Sequence, residues 1–501
     1  MSEKQPNILL IITDHHAFHG HVNREDFDYT WPVFDRFCDE GIRFDRAYSV
    51  SPMCSPARAS MMTGVYPSTH GMRRNNEGSS QTNITDLRSG QLLYSHYLSQ
   101  AGYRNAYIGK WHCGAERIPV DYGIEGWSLP GYGKIYMSDA YKEYADERGL
   151  GEARAKIDRC LQYPEWRGQT LVLHDPSPWK FMTASGILEG PPEAHEEFFV
   201  AHLAEEKLRE LSREDQPFSL VASFWGPHQP YFPTETYASM IKPRDIPEYP
   251  SFNDDLKGRG FRHVVHRYVA HTDCREIWPD WSIWQEVLAL AYGQALQTDA
   301  AVGKVLETLD DTGLADNTIV VWCADHGDAL ACHGGTFDKS STYTEEVGRV
   351  PMAIRWPKRF KGGEVCGELV SNMDVTATML NAAGVNVPDH FDSRSMLPLC
   401  GKGIEHDRPN HLVCEHHGRI DKIPQRVIYK GRYKYVAALY DMDEMYDLEV
   451  DPYEMKNLLN DPGVSDVRRE MRGLLIEHLE KSDATDGEVR RLLLMLRTVE
   501  P

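Results

Sequence analysis

Cys54-Ser55-Pro56-Ala57-Arg58 runs into Ala59-Ser60-Met61-Met62-Thr63 and stops at Gly64. Proline is accepted in the first turn of a helix, where its missing N–H would be unpaired anyway, so the spacing predicts a short helix from Pro56 with Cys54 just ahead of it. A cysteine so placed faces the positive end of the helix dipole, which lowers a thiol pKa and also suits an oxyanion or a bound anionic ester. A lone cysteine before a helix is more often a packed side chain than a nucleophile. The decision therefore rests on the other polar groups of the chain.

Asp14-His15 and Asp325-His326 each close an apolar run. Hard carboxylate oxygens joined by imidazole nitrogens suit a divalent cation that polarises an anionic ester. His16, His19 and His21 crowd the first pair and compete with His15 for such a role, although surface or supporting positions suit them better. Gly109-Lys110-Trp111-His112 and Gly226-Pro227-His228 also follow apolar runs, and Lys339 follows the late acidic pair. Arg58 stands one helical turn beyond Cys54, within reach of a nucleophile or its oxyanion. Singly, each of these reads as a cap, a solvated charge or a satisfied polar residue. Together they read as one crevice.

The elements that must bring them together are legible as runs. Residues 7–13, 318–324, 218–224 and, more weakly, 103–108 are continuous apolar, β-branched stretches, the pattern of strands buried on both faces of a parallel sheet. In open α/β sheets the ligand crevice lies at the carboxyl ends of the strands, so these polar endings converge although they are far apart in the chain. Amphipathic helices are expected over 194–212, 283–309 and 373–383, which makes the fold a doubly wound, mostly parallel α/β sheet. Residues 120–192 lack clear periodicity and read as a loop-rich insertion over the site within a catalytic domain of residues 1–388. Residues 389–501 read as a smaller α+β subdomain, with strands near 411–414, 426–429 and 432–436, a turn at Lys430-Gly431, and a covering helix over 464–481.

Composition narrows the partners. A net charge of −21 over 501 residues argues against nucleic acid or an anionic membrane, so an anionic substrate needs a locally basic pocket. Apolar runs stay too short for a signal segment or a membrane span, and the ten cysteines show no paired spacings, so a reducing, cytoplasmic setting is expected.

On Cys54-x-Pro56-x-Arg58, the acidic ending of the first strand, the Asp-His pair after a late strand, and the Lys110-x-His112 pair, the chain resembles the type I sulfatase family of the alkaline phosphatase superfamily. Further likeness runs through Asn372-Met373-Asp374-Val375-Thr376 and Tyr446-Asp447-Leu448 to Asp451-Pro452, nearly the whole chain. The resemblance implies an alkaline-phosphatase-like fold and a sulfuric ester hydrolase. It also implies that Cys54 is oxidised by a maturation enzyme to formylglycine, whose hydrated aldehyde attacks sulfur.

By the same resemblance, Asp14, Asp325, His326 and Cys54 surround one divalent metal, commonly calcium, and His15 enters the set where many members carry Asp. An imidazole there softens the site and brings manganese or zinc into play. Lys110 and Lys339 would hold the sulfate oxygens, His112 the nucleophile's hydroxyl, and His228 would help protonate the leaving oxygen. The alternative is a phosphonate monoester or phosphodiester hydrolase of the same superfamily, whose members tend to replace the Lys110 and His112 equivalents with neutral groups. A catalytically silent binding protein on this fold is a third reading, opposed by the retained nucleophile and cations. The organic part of the substrate is expected to be a sugar or an aryl alcohol, with Trp127, Tyr132, Tyr136 and Trp166 available to stack on it and His416, His417 and Arg419 to reach in from the smaller subdomain. A second copy of the chain remains an open partner.

Overall fold

The computed structural model describes residues 4–18, 27, 29–76, 83–174, 181–269, 272–339, 341–401, 406–419, 422–482 and 485–498; His19 and His21 lie outside them. Its main element is an eight-stranded sheet. From one edge the strand order is Glu364–Cys366, Ile42–Phe44, Met352–Arg355, Thr318–Ala324, Asn7–Thr13, Phe218–Ser223, Arg104–Gly109 and Glu125–Trp127. Only Met352–Arg355 runs against the rest.

The central strands are apolar at every position because both faces are covered. Leu9, Ile11, Leu220 and Trp322 face one layer, where they pack with residues of the long helix Trp281–Asp311 and of Glu196–Leu211. Ile8, Leu10, Ile12 and Val321 face the other, against Met61 and Met62 of the Cys54–Thr63 helix and Met379 of Asp374–Ala382. The two-residue alternation of a strand thus sorts one run of sequence into two cores. No helix among the described residues is long and apolar enough to cross a membrane.

Register positions the chemistry. Thr13 pairs with Ala324, so the next residues, Asp14 and Asp325, leave the sheet side by side. Gly109 pairs with Ser223 in the same way and delivers Lys110 to the same end.

Residues 120–192 contain more order than expected. A three-stranded antiparallel sheet joins Arg154–Cys160, Thr170–Val172 and Ala184–Leu188, and a helix spans Asp139–Arg148. That helix buries only Tyr141, Tyr144 and Ala145, a stripe too narrow to stand out among its polar neighbours.

At the C-terminal end, His411–His416, Gln425–Lys430, Tyr433–Ala438 and Glu444–Asp447 form a four-stranded antiparallel sheet. One face packs on Ser465–Lys481 and on a further helix, Gly487–Thr498, through Ile428, Tyr435, Met471, Leu475 and Leu492. The opposite face, Val427, Tyr429 and Val436, packs on Tyr48 and Tyr343 of the large layer. The small sheet is therefore sandwiched, and its loops are held against the end of the large sheet.

Candidate active site

The helix carrying Cys54 begins at Cys54 itself, two residues earlier than its proline suggested, with Met53 as the capping residue. Pro56 still costs nothing, because the first N–H groups of a helix have no intrahelical partner. All ten residues of this helix are buried, and Gly64 ends it in the left-handed conformation at φ 71°. Cys54 is 1% exposed. Its neighbour's amide, Ser55 N–H, donates to Asn75 Oδ1 at 3.1 Å.

Around Cys54 the strand ends converge. Ligand atoms of Asp14, Cys54, Asp325 and His326 all lie within 4.8 Å of one another. His326 Nδ1 meets the Gly327 carbonyl at 2.8 Å. A carbonyl only accepts, so Nδ1 carries the proton and Nε2 presents a lone pair. That lone pair lies 3.1 Å from Cys54 Sγ. Burial and Asp325 both push the Asp14 carboxyl up, but Lys110 and Arg58 outweigh them and hold it below the ordinary carboxylate range. Asp325 is likewise held down, against burial, by Arg58 and Lys110. Two adjacent ionised carboxylates, an imidazole lone pair and a buried Asp14 Oδ1 without a hydrogen-bond partner make a donor set that fits a divalent cation.

Arg58 ties the crevice together. Its Nε donates to Asp325 Oδ2 at 2.7 Å, and its Nη1 to Ser223 Oγ at 2.7 Å and the Lys110 carbonyl at 2.9 Å. Lys110 pairs with Asp14 Oδ2 and lies over the Tyr132 ring, 4.2 Å from its centroid. Lys339 Nζ donates to His228 Nε2 at 3.1 Å. Burial first, then Lys339, drives the His228 pKa well below its ordinary value, so this imidazole is neutral. Burial opposes the charge on Lys339, but Asp338 and Asp14 outweigh it and the ammonium is retained. His112 is buried with neither ring nitrogen hydrogen-bonded, its ring edge-on to Tyr132 at 5.7 Å. Burial and then Lys110 keep it neutral.

His15 is directed differently from the other ligand candidates. At φ 63° its own N–H donates to Asp325 Oδ1 at 3.1 Å, which swings the side chain away from the four-ligand cluster. Its Nδ1 lies 3.3 Å from Asp328 and its Nε2 3.1 Å from Asp338, with the ring stacked on His228 at 4.3 Å. In this arrangement His15 braces His228 and the Lys339 loop, and the softening of the metal set rests on His326 alone. His16 turns from the site to meet Thr13 Oγ1 at 3.1 Å and the Trp31 ring at 3.9 Å.

Among the residues reaching in from elsewhere, Arg419 arrives from the small subdomain and donates to Asp338 at 3.2 Å and to the Lys339 carbonyl at 3.3 Å. His417 does not, being held between Glu415 at 3.1 Å and Glu488 at 2.7 Å. Tyr132 is at the centre, whereas Trp127 packs on Phe199 at 5.1 Å, Tyr136 on Tyr141 at 5.0 Å, and Trp166 on Tyr163 at 4.4 Å. Sequence reasoning missed Ser223, Asp328 and Asp338. Asp338 precedes Lys339 and Asp328 closes Asp325-His326-Gly327-Asp328, so a search for acids beside the chosen residues would have found both.

Comparison with known proteins gives the family and the fold. The family model for sulfatases matches residues 6–385, and one for the C-terminal part of N-sulphoglucosamine sulphohydrolase matches residues 332–481. The chain is 28% identical to an arylsulfatase of Clostridium perfringens, covering 96% of each. A structure solved with its substrate D-glucosamine-2-N,6-O-disulfate aligns with a TM-score of 0.71 at 22% identity, covering 96% of this chain and all of that one. The phosphonate monoester hydrolase of Agrobacterium radiobacter aligns equally well, with a TM-score of 0.71 at 21% identity over 94% of this chain and 95% of its own. The fold is thus shared across both activities, while the sulfatase model accounts for the strands and loops that carry Asp14, Cys54, Lys110, His228 and Asp325: the chain belongs to the sulfatase family, the sulfuric ester hydrolases.

Proposed function

We propose that this sulfuric ester hydrolase cleaves a sulfate monoester of a sugar, using Cys54 after oxidation to formylglycine and one calcium ion held by Asp14, Asp325, His326 and the modified residue. The observation that carries the reading is Cys54 Sγ, 3.1 Å from the His326 lone pair inside a four-residue ligand cluster ringed by Arg58, Lys110 and Lys339. As a thiol Cys54 is poorly suited to attack, since burial raises its pKa, partly offset by Lys339. As formylglycine it would supply a hydroxyl of the hydrated aldehyde, and the cation would draw charge from the sulfate oxygens.

The chain's own groups do the rest. Lys110 and Lys339 neutralise charge developing on the transferring group, and Arg58 holds Asp325 and the helix in register. His228 is neutral with Nε2 accepting from Lys339 and Nδ1 donating to the Gln229 carbonyl, so the proton for the leaving oxygen originates on the Lys339 ammonium, which this imidazole orients. His112, with both ring nitrogens unengaged, is placed to take the hydroxyl proton of the nucleophile. Because Cys54 is 1% exposed, the maturation enzyme has to reach it before the fold closes. A reducing, cytoplasmic location is part of the same reading, supported by ten free cysteines. The sugar preference is supported by the neighbour solved with a sulfated glucosamine.

Peptide mass spectrometry of the Cys54 segment with metal analysis tests nucleophile and cation together. Formylglycine with one equivalent of calcium is expected; an unmodified cysteine in protein co-expressed with the maturation enzyme overturns the scheme, and manganese or zinc corrects the metal. Rates on paired sulfate and phosphonate esters, with sulfate preferred, separate the two activities of the shared fold.

A further inference from the structure

A polar cavity of about 630 Å³ opens where the segment after the nucleophile helix meets the helix Gly487–Thr498. Arg73, Arg74, Arg88, Lys422 and Arg491 line it, against two carboxylates, Asp486 and Glu488. Both carboxylates are already engaged. Asp486 pairs with Arg73, and Glu488 lies 2.7 Å from His417 and 3.1 Å from Arg426. Arg74 gives its hydrogens to the carbonyls of Gly418 and His417, at 3.1 and 3.2 Å, which satisfies its donors without cancelling its charge. Arg88, Lys422 and Arg491 have no ion-pair partner among the described residues. Such a concentration of uncancelled positive charge runs against the −21 of the whole chain.

The cavity is tied to the catalytic crevice by two short pieces of backbone. Arg73 and Arg74 directly precede Asn75, which holds the Ser55 amide beside Cys54. At most about 7 Å of chain separates Arg73 from Asn75. On the other wall, the Gly418 carbonyl that receives Arg74 directly precedes Arg419, which donates to Asp338 and Lys339. An extended ligand anchored at Cys54 therefore has a positively charged recess alongside it.

We infer that this cavity is a second anion subsite, which binds a sulfate or carboxylate group of a polyanionic oligosaccharide at a position beyond the ester being cleaved. The inference rests on the sulfated-sugar reading above. Exposed cations contribute through charge more than through fixed geometry, so the subsite is salt-sensitive and loses strength by steps as charges are removed.

The test is equilibrium binding of a fluorescently labelled, fully sulfated hexasaccharide to the full chain, read by anisotropy at low and at physiological salt. The Arg88→Ser/Arg491→Ser protein should bind about tenfold more weakly, whereas a charge-matched protein with Arg244→Ser and Lys257→Ser, both exposed elsewhere, should stay within about twofold. Equal losses in the two proteins, or no loss in the first, overturn the subsite. Turnover of a sulfate monoester by the native protein is measured separately. Cavity-dependent binding without turnover sinks the substrate reading and leaves the anion subsite standing, while turnover without cavity-dependent binding sinks the subsite alone.

Discussion

Two buried clusters of ionisable groups draw on the same stretch of chain, residues 325–346, and differ in how their charges are met. Asp14, Cys54, Asp325 and His326 form one; His333, Glu346 and Glu454 form the other, each with ligand atoms within 4.8 Å. In the second, charges answer charges. His333 lies 3.0 Å from Glu346 and 3.6 Å from Asp254, Arg259 is 2.7 Å from Asp254, and Lys434 is 2.7 Å from Glu454. Arg262 completes the set at 2.8 Å from Glu444. In the first, Asp14 Oδ1, Arg58 Nη2 and both His112 nitrogens are buried without a hydrogen-bond partner. Neither potential metal ligands nor unmet hydrogen bonds separate the two, since His333 Nδ1, Arg259 Nε and Arg262 Nη2 also lack a hydrogen bond. The difference is that each of these lies beside a carboxylate, at 3.6, 2.7 and 2.8 Å, whereas His112 is buried with neither a hydrogen bond nor an ion pair among the described residues. We propose the first cluster as the site; the second joins the small subdomain to the loop that carries Lys339 as a clamp.

The sharpest way to break this distinction is at Cys54. Cys54→Ala should lower turnover by at least about 10⁴-fold while changing folding stability by no more than about 1 kcal/mol, since a small side chain is lost from a packed helix. Steady-state assays with urea unfolding check both halves, and substantial residual turnover would remove Cys54 from the chemistry.

Next in size is Lys434→Met. Removing one partner of a buried pair leaves Glu454 uncompensated, so a loss of about 3 kcal/mol of stability is expected, with turnover per folded molecule within about twofold of native. A large fall in turnover without a fall in stability would make the clamp part of the site.

The smallest effect concerns pH. Burial disfavours charged His333, but Glu346 outweighs it and raises its pKa from 6.5 to about 9. A pKa raised on folding adds stability that is full below pH 6.5 and is lost as pH climbs towards about 9. The melting temperature of the native protein should therefore fall across that window more steeply than that of His333→Gln. Parallel curves would show that His333 does not titrate as described.

Four adjacent strands of the large sheet were legible because buried parallel strands are written locally, as continuous apolar runs with polar endings, and 7–13 and 318–324 match their observed strands residue for residue. The short strands Ile42–Phe44, Glu125–Trp127, Met352–Arg355 and Glu364–Cys366 were not read. The helix Asp139–Arg148 escaped notice for the opposite reason, its apolar stripe being so narrow that partners elsewhere in the fold decide whether it becomes helix. Gly487–Thr498 was legible but unread, since Val489, Leu492 and Leu496 stand at helical spacing. Within the crevice, residue types at strand ends were readable, but the direction of His15 was not, since it depends on a backbone bond to Asp325, more than three hundred residues away.

By itself, the sequence determined the four adjacent inner strands, the helix that presents Cys54, and the kind of chemistry its strand-end acids, imidazoles and cations support, because these follow from local periodicity and side-chain type. Only the tertiary structure decided which of those groups share a crevice, that His15 braces His228 while His326 turns its lone pair to Cys54, and that a second acid-histidine cluster is closed by arginine and lysine. Those outcomes rest on strand register and on contacts between distant segments, which no local pattern encodes.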